Sequence, residues 1–222
     1  MSVPSQPSPV APSSPSGRKA RVAHVMAGSA RGGAELFFER LSMAQTADQR
    51  PVRALIRHDV GREARLRAAN VETQTFRFGG VLDVGTKPRL QKSLGEFQPD
   101  VVVAWMSRAA RKLPSGPWRT AGRLGGYYDL SNYRGCEHLI GNTRGLANWM
   151  KMQGWPADRV HYVPNFATDF STGPAVRPEF LPPEAPFVLA LGRLHENKAF
   201  DVPIRAMACL PGGNPVIGGE RA

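Results

Sequence analysis

The chain has little cysteine and no long apolar run, and each absence excludes a class of protein. Its two cysteines, Cys136 and Cys209, are far apart and show no metal-ligand spacing, so we expect two reduced thiols and no metal site. No segment reaches the roughly 18 apolar residues of a membrane-spanning helix. The first residues, MSVPSQPSPVAPSSPSG, lack the apolar stretch of a secretory signal. Together these absences predict a cytoplasmic location.

Acidic residues are also scarce, since 18 Asp and Glu stand against 29 Lys and Arg, a formal charge of +11. This excess favours anionic partners, namely nucleotide phosphates, anionic lipid head groups or nucleic acid, and charge alone does not choose among them. No RNA-binding signature accompanies it, so no nucleic acid is expected. A basic and aromatic face touching a membrane is one alternative, and a solvated surface is favoured over it; the residues concerned are Arg108, Arg111, Lys112, Arg119, Trp105 and Trp118.

The order of patterns along the chain predicts an α/β protein. Residues 1–17 alternate Pro and Ser and are expected to form a disordered tail. Residues 18–165 alternate strand patterns with helix patterns, which predicts a Rossmann-like, doubly wound parallel sheet. The predicted strands are ARVAHVM, RPVRALIR, VETQTFRF, VVVAW, HLIGN and RVHYVPN, and the predicted helices are AELFFERLSMAQ, GREARLRAAN, KPRLQKSLGEFQPD and TRGLANWMKMQGW.

A second, shorter unit is predicted after a change in composition. Residues 166–186 contain five prolines and little periodicity, which indicates an interdomain linker. Residues 187–222 then read as strand FVLALGRL, helix DVPIRAMACL and strand NPVIGG. Asp201 is the expected helix cap, with Pro203 in the first turn. We interpret this part as the truncated start of a second, incomplete Rossmann-like domain.

Two turns between a strand and a helix could bind an anion. In the first, Gly28 to Glu35, free backbone N–H groups meet a helix N-terminus, although Ala34 and Glu35 replace the Lys and Ser/Thr of a P-loop and no GxGxxG is present. In the second, GRLHENKAFD, Arg193 and Lys198 are five apart and could converge on one anion. The alternative for the first is a tight turn that needs glycines but binds nothing. The alternative for the second is a basic turn exposed to solvent.

Three segments in this order resemble GT-B-fold glycosyltransferases: GGAELFFERL, HLIGNTRGLANWMKMQGWPADRVHYVPNF and LALGRLHENKAFDVPIRAMA. The likeness covers about residues 20–210. It is greatest to the large retaining group, of the group-1 or family-4 type, that contains many bacterial envelope-polysaccharide and lipopolysaccharide transferases.

The resemblance implies a function and roles for particular residues. The N-terminal domain would hold a glycan or lipid-linked acceptor and the second domain a nucleotide-diphosphate sugar, without metal or other cofactor. Arg193 and Lys198 would contact the donor diphosphate, Gly32 and Gly33 would approach it, and Asn165 would position the chain before the domain crossover. Contact with the anionic inner face of the plasma membrane fits such an acceptor.

Three departures from the family pattern are visible. The family's lysine is usually followed by glycine, whereas Ala199 follows Lys198 here, a mild change if its backbone torsion is negative. Many members have a histidine after the VVV strand, where this chain has Trp105 and Met106. The pair of donor-domain glutamates would lie beyond Ala222. No catalytic residue is therefore assigned, and a non-catalytic remnant that retains an acceptor-binding domain is the alternative function.

Overall fold

The computed structural model describes residues 18–28, 32–79, 83–166, 177–192, 194–209 and 214–218. It divides the chain into two compact units, Met1–Ala167 and Thr168–Ala222. The predicted tail, residues 1–17, lies outside the described residues, as does the first half of the predicted linker. None of the helices in the described ranges combines the length and apolar composition that crossing a bilayer requires.

The first unit is built on a seven-stranded sheet in which every neighbouring pair of strands is parallel. The strands are β1 Val22–Met26, β2 Val52–Arg57, β3 Glu72–Phe76, β4 Val101–Trp105, β5 Arg119–Leu124, β6 His138–Gly141 and β7 Val160–Tyr162. Their order across the sheet is β3-β2-β1-β4-β5-β6-β7. The helices are α1 Gly33–Ala47, α2 Val60–Ala68, α3 Thr86–Phe97, α4 Met106–Lys112 and α5 Arg144–Met152.

Helices cover both faces of this sheet, because successive side chains of a strand point to opposite faces. Ala23 and Val25 of β1 pack in one apolar cluster with buried residues of α3, α4 and α5. Val22 and Met26 pack in a second cluster with buried residues of α1 and α2. The predicted α/β, doubly wound class is therefore confirmed.

The strand order reverses between β1 and β4, which are direct neighbours. The chain runs outward from β1 to β3 on one side and from β4 to β7 on the other. Loops that follow two such strands generally diverge at the carboxyl edge of a sheet and leave a crevice. In open α/β sheets this switch point is where ligands bind.

Two elements of the first unit were not predicted from the sequence, namely β5 and α4. β5 has the sequence RTAGRL, which lacks the run of β-branched residues that identifies β4. Its strand conformation comes from pairing on both sides, with Val101 opposite Arg119 and Ala121 opposite His138. Tertiary pairing therefore overrides weak local preference here.

The alternative of an exposed basic and aromatic face is wrong in its aromatic part. Trp105 and Trp118 are both buried in the apolar clusters of the first unit. Neither indole can therefore reach a membrane surface from these positions.

The second unit contains two parallel strands, β8 Phe187–Leu191 and β9 Asn214–Gly218, and the helix α6 Asp201–Met207. The predicted succession of strand, helix and strand is confirmed. The predicted cap is wrong, because Phe200 precedes the helix and no side chain caps it. Asp201 instead lies in the first turn, where its carboxylate pairs with Arg205 at 3.3 Å, one turn away on the exposed surface.

Candidate functional site

Helix α1 begins at the crevice with a glycine and without a side-chain cap. Its hydrogen-bond ladder begins with the Leu36 N–H, which donates to the Gly32 carbonyl at 3.0 Å. The amide groups of Gly33, Ala34 and Glu35 precede that ladder and carry the positive end of the helix dipole. Among the residues that the structure describes, none has an atom within 4 Å of the position a Cβ would take on Gly33.

A carboxylate occupies the space that side chains at two of the glycines would need. Glu35 is almost fully buried, and a Cβ built on Gly28 would overlap its carboxylate oxygen. A Cβ on Gly32 would lie 2.6 Å from the other oxygen of the same group. A side chain at either glycine would therefore displace the Glu35 carboxylate from its present position, and a phosphate placed at Gly32 would lie close to this carboxylate.

A buried ion cluster fixes the backbone at the start of this turn. Glu39 of α1 accepts hydrogen bonds from Arg62 Nε at 3.1 Å and from Arg65 Nε at 2.8 Å, both on α2. Arg62 also donates from Nη1 to the Gly28 carbonyl at 3.0 Å. The hydrogen bond to Glu39 is the main reason that the pKa of Arg65 lies above its ordinary value. The cluster thus joins α1, α2 and the end of β1.

At the neighbouring strand ends a buried aromatic group surrounds His24 and Trp105. The indole Nε1–H of Trp105 donates to His24 Nδ1 at 3.2 Å, so His24 donates from Nε2 to Gln45 Oε1 at 2.7 Å. Phe37 and Phe38 complete the group through ring contacts with Trp105. Burial lowers the pKa of His24 to about 4, so this histidine is a neutral structural residue at pH 7.

Met106 lies just after β4, where many of the glycosyltransferases that the sequence resembles have a histidine. It follows Trp105 directly and starts α4 with a φ of 63°. Residues with a side chain rarely adopt this left-handed conformation, and such positions cluster at functional sites. The outlier lies at the switch point, beside the end of β1.

Asn165, a residue singled out by the sequence, contacts a residue that the sequence did not single out. Its Oδ1 accepts a hydrogen bond of 2.7 Å from Nη2 of Arg123, the penultimate residue of β5. The signal that could have pointed to Arg123 is a cation within a buried strand, but RTAGRL was not recognised as a strand.

In the second unit the side chain of Lys198 lies close to the end of β8. Its backbone N–H donates to the His195 carbonyl at 2.9 Å in a short 3-10 turn, Glu196–Lys198. A Cβ on Gly192 would lie 3.8 Å from Lys198 Cδ, so the lysine stem passes directly over the residue that follows β8. Arg193 lies outside the described residues, and its convergence with Lys198 therefore stays a prediction.

Ala199 does not satisfy the condition under which replacing glycine would be mild. Its φ is 48°, in the left-handed region that glycine adopts without strain. The turn that carries Lys198 therefore stores strain in its backbone.

Replacing Ala199 with glycine is expected to stabilise the second unit by about 1 kcal/mol, because the glycine adopts this torsion without the clash of a Cβ. Calorimetric thermal unfolding measures the change. Ala206→Gly is the matched control, since Ala206 lies inside α6 and its loss should cost about 1 kcal/mol. A destabilisation by both substitutions would contradict the strain at Ala199.

A parallel sheet that reverses at β1 and β4, with a glycine-started helix at the switch point and a second strand–turn–helix unit, defines the class as a Rossmann-like α/β fold. No family model matches the sequence. The chain is 33% identical over 196 residues to the lipopolysaccharide core biosynthesis glycosyltransferase LpsE of Rhizobium meliloti. This match spans 82% of this chain and 54% of LpsE. It is 32% identical to LpsD of the same organism, over 84% of this chain and 55% of LpsD.

Solved structures show the same fold at low sequence identity. The Anabaena protein HepE, in complex with UDP and glucose, superposes with a TM-score of 0.66 at 16% identity and covers 91% of this chain and 62% of HepE. A glycosyltransferase from Rickettsia africae gives a TM-score of 0.63 at 10% identity, over 90% of this chain and 68% of its own. The chain therefore shares the fold of these structures and is similar in sequence to two glycosyltransferases of lipopolysaccharide core biosynthesis. It spans about half the length of the curated relatives it matches.

Proposed function

We propose that the chain takes part in the transfer of a sugar from a nucleotide-diphosphate sugar to a glycan or lipid-linked acceptor. The observation that carries this proposal is helix α1, which starts with a glycine and without a side-chain cap at the switch point of the sheet. It is supported by the sequence similarity of the chain to two proteins named glycosyltransferases. HepE, which has the same fold, was crystallised with UDP and glucose, which supports a uridine nucleotide as the first donor to test.

The two units would have different parts in this reaction. The first unit would hold the acceptor, and Lys198 of the second unit would contact the donor diphosphate together with Arg193. A cation beside the diphosphate stabilises the negative charge that develops as the nucleotide leaves. Metal and further cofactors have no part in this proposal.

The position of the Glu35 carboxylate affects which part of the glycine turn could approach a diphosphate. Because it lies against Gly28 and Gly32, the electrostatic attraction of a diphosphate to that side of the turn is reduced. Gly33, where no described residue lies near the position of a Cβ, is the better of the two predicted glycines for a close approach to the donor.

An acceptor attached to an anionic membrane fits the charge of +11. In this proposal the protein works in the cytoplasm at the inner face of the plasma membrane. Arginine and lysine side chains would then supply the attraction, since the two tryptophans considered for this contact are buried.

Lys198→Ala is expected to weaken binding of UDP-glucose, or of GDP-mannose if that is the donor, by at least about tenfold, because a charge-assisted hydrogen bond to phosphate is lost. Isothermal titration calorimetry on the full chain measures the dissociation constants. Arg205→Ala is the control, since it removes an equal charge from an exposed position in the same unit and should change affinity less than about twofold.

Two results would contradict the donor-site assignment. One is the absence of binding of either nucleotide sugar to the unmodified chain, and the other is an equal loss in both variants. Acceptor-dependent release of UDP from UDP-glucose separates transfer from binding alone.

A further inference from the structure

Arg123 is a buried cation at the carboxyl edge of the sheet. Only 5% of it is exposed, although arginine is almost never buried without a partner of opposite charge. Within the part of the chain that the structure describes, no carboxylate pairs with it. Burial lowers the pKa of Arg123 to about 10, and the guanidinium therefore stays charged at pH 7.

The guanidinium binds the segment by which the chain leaves the first unit, residues 163–166, here called the exit segment. Arg123 Nη2 donates to the Val163 carbonyl at 3.1 Å and to Asn165 Oδ1 at 2.7 Å. Apart from these bonds, the Val163 N–H donates to the Gly141 carbonyl at 3.0 Å, at the end of β6. Arg123 of β5 thus supplies two side-chain hydrogen bonds to the exit segment.

Aromatic rings complete the contact and extend it to α1. The guanidinium carbon lies 4.6 Å from the ring centroid of Phe37 and 5.3 Å from that of Trp105. Phe166 of the exit segment packs edge to face against Phe37, with the two ring centroids 4.8 Å apart. Cation–π attraction is strongest where water is excluded, as it is here. Phe37 therefore touches both Arg123 and the exit segment.

With Asn165 as its partner, lysine would not reproduce the whole of this arrangement. The planar guanidinium stacks against rings through its faces while its N–H groups donate in the plane, whereas an ammonium is a compact and strongly hydrated point charge. Arg123→Lys alone should consequently weaken the contact with the exit segment.

We propose that Arg123 is a positioning residue that holds the exit segment against helix α1. Because α1 starts at Gly32 and Gly33, the same contact keeps the exit segment in a constant position relative to the glycine turn. This inference rests on the geometry of the first unit and stands whether or not the chain binds a nucleotide sugar.

The test is limited proteolysis of the native full chain with chymotrypsin, followed by mass spectrometry. Cleavage after Phe166 reports opening of the exit segment, because the Phe166 ring must leave its contact with Phe37 before it enters the specificity pocket of the protease. Arg123→Lys is expected to speed this cleavage by about tenfold, the effect of losing a hydrogen bond to a charged group. Cleavage after the buried Phe97 reports global unfolding, and cleavage after Phe180, which is 75% exposed, reports protease activity.

Further variants separate positioning from simple stability. Asn165→Ala removes the partner on the exposed side, does not disturb the core, and should speed cleavage after Phe166 several-fold. Asn165→Asp added to Arg123→Lys should restore slow cleavage, since an ion pair between lysine and aspartate can replace the hydrogen bond between Arg123 and Asn165. Arg119→Lys is the matched control, because Arg119 lies on the same strand with a side chain that is 74% exposed.

A selective rise at Phe166 in Arg123→Lys and Asn165→Ala, reversed in the double variant, is the expected result. The proposal is overturned if cleavage after Phe166 rises only in parallel with cleavage after Phe97. It is equally overturned if Asn165→Ala leaves cleavage after Phe166 unchanged, or if Arg119→Lys has the same effect as Arg123→Lys.

Discussion

Glu39→Gln is expected to lower the free energy of unfolding by about 3 kcal/mol, the largest effect of a single substitution that we predict for this protein. Glu39 and Arg62 have side chains that are only 7% and 1% exposed, and they pair at 3.1 Å. Neutralising the carboxylate removes the shorter of the two ion pairs described for the buried Arg62, the other being with Asp59 at 3.8 Å. Breaking a buried pair from one side is costly because the remaining charge stays out of water.

Urea denaturation followed by circular dichroism measures this loss. Glu63→Gln is the matched control, since Glu63 pairs with Arg67 one turn away on the surface of α2. Such pairs contribute about 0.5 kcal/mol or less. Similar losses in both variants would show that the Glu39 cluster contributes no more than a surface pair.

Acidification from pH 6.5 to pH 4 is expected to remove about 3 kcal/mol of stability through His24. The pKa of this histidine falls from 6.5 to about 4 on folding, mainly because burial disfavours the charged ring. Between these values the unfolded chain binds a proton that the folded chain does not, so stability falls as the pH falls. Each unit of pKa difference is worth about 1.4 kcal/mol.

The comparison of the unmodified chain with His24→Gln isolates this contribution. The variant should be less stable at pH 7, because it loses ring contacts with Trp105 and Phe38, but its stability should change much less between pH 6.5 and pH 4.5. His161, whose pKa is also lowered by burial, contributes in the same direction, and His161→Gln serves as the second control. An equal pH dependence in the unmodified chain and in His24→Gln would refute the assignment to His24.

The sequence predicted the elements whose local pattern is strong. VVVAW is a run of β-branched and large apolar residues, and it forms β4 as expected. TRGLANWMKMQGW places apolar residues at helical spacing, and it forms α5 between the capping Thr143 and Gly154. RTAGRL has no such pattern, and it became a strand because β4 and β6 pair with it on both sides.

The candidate site was predicted less completely than the fold. Asn165 and Lys198 were identified by resemblance, and the structure adds their neighbours, Arg123 and Gly192. Arginine is usually a surface residue, so nothing in the composition indicated that Arg123 would be buried between rings. The glycines of the first turn were visible in the sequence, whereas the contact of the Glu35 carboxylate with two of them was not.

The sequence by itself determined the alternation of strands and helices, the excess of positive charge and the order of the motifs. These properties depend on residue types at short spacing, where side-chain volume, β-branching and periodicity act locally. The tertiary structure alone decided the burial of Arg123 and His24, the contact of Glu35 with Gly28 and the left-handed torsion of Ala199. Each of these depends on which distant segments pack together, because burial and backbone strain are set by the surroundings that folding brings to a residue.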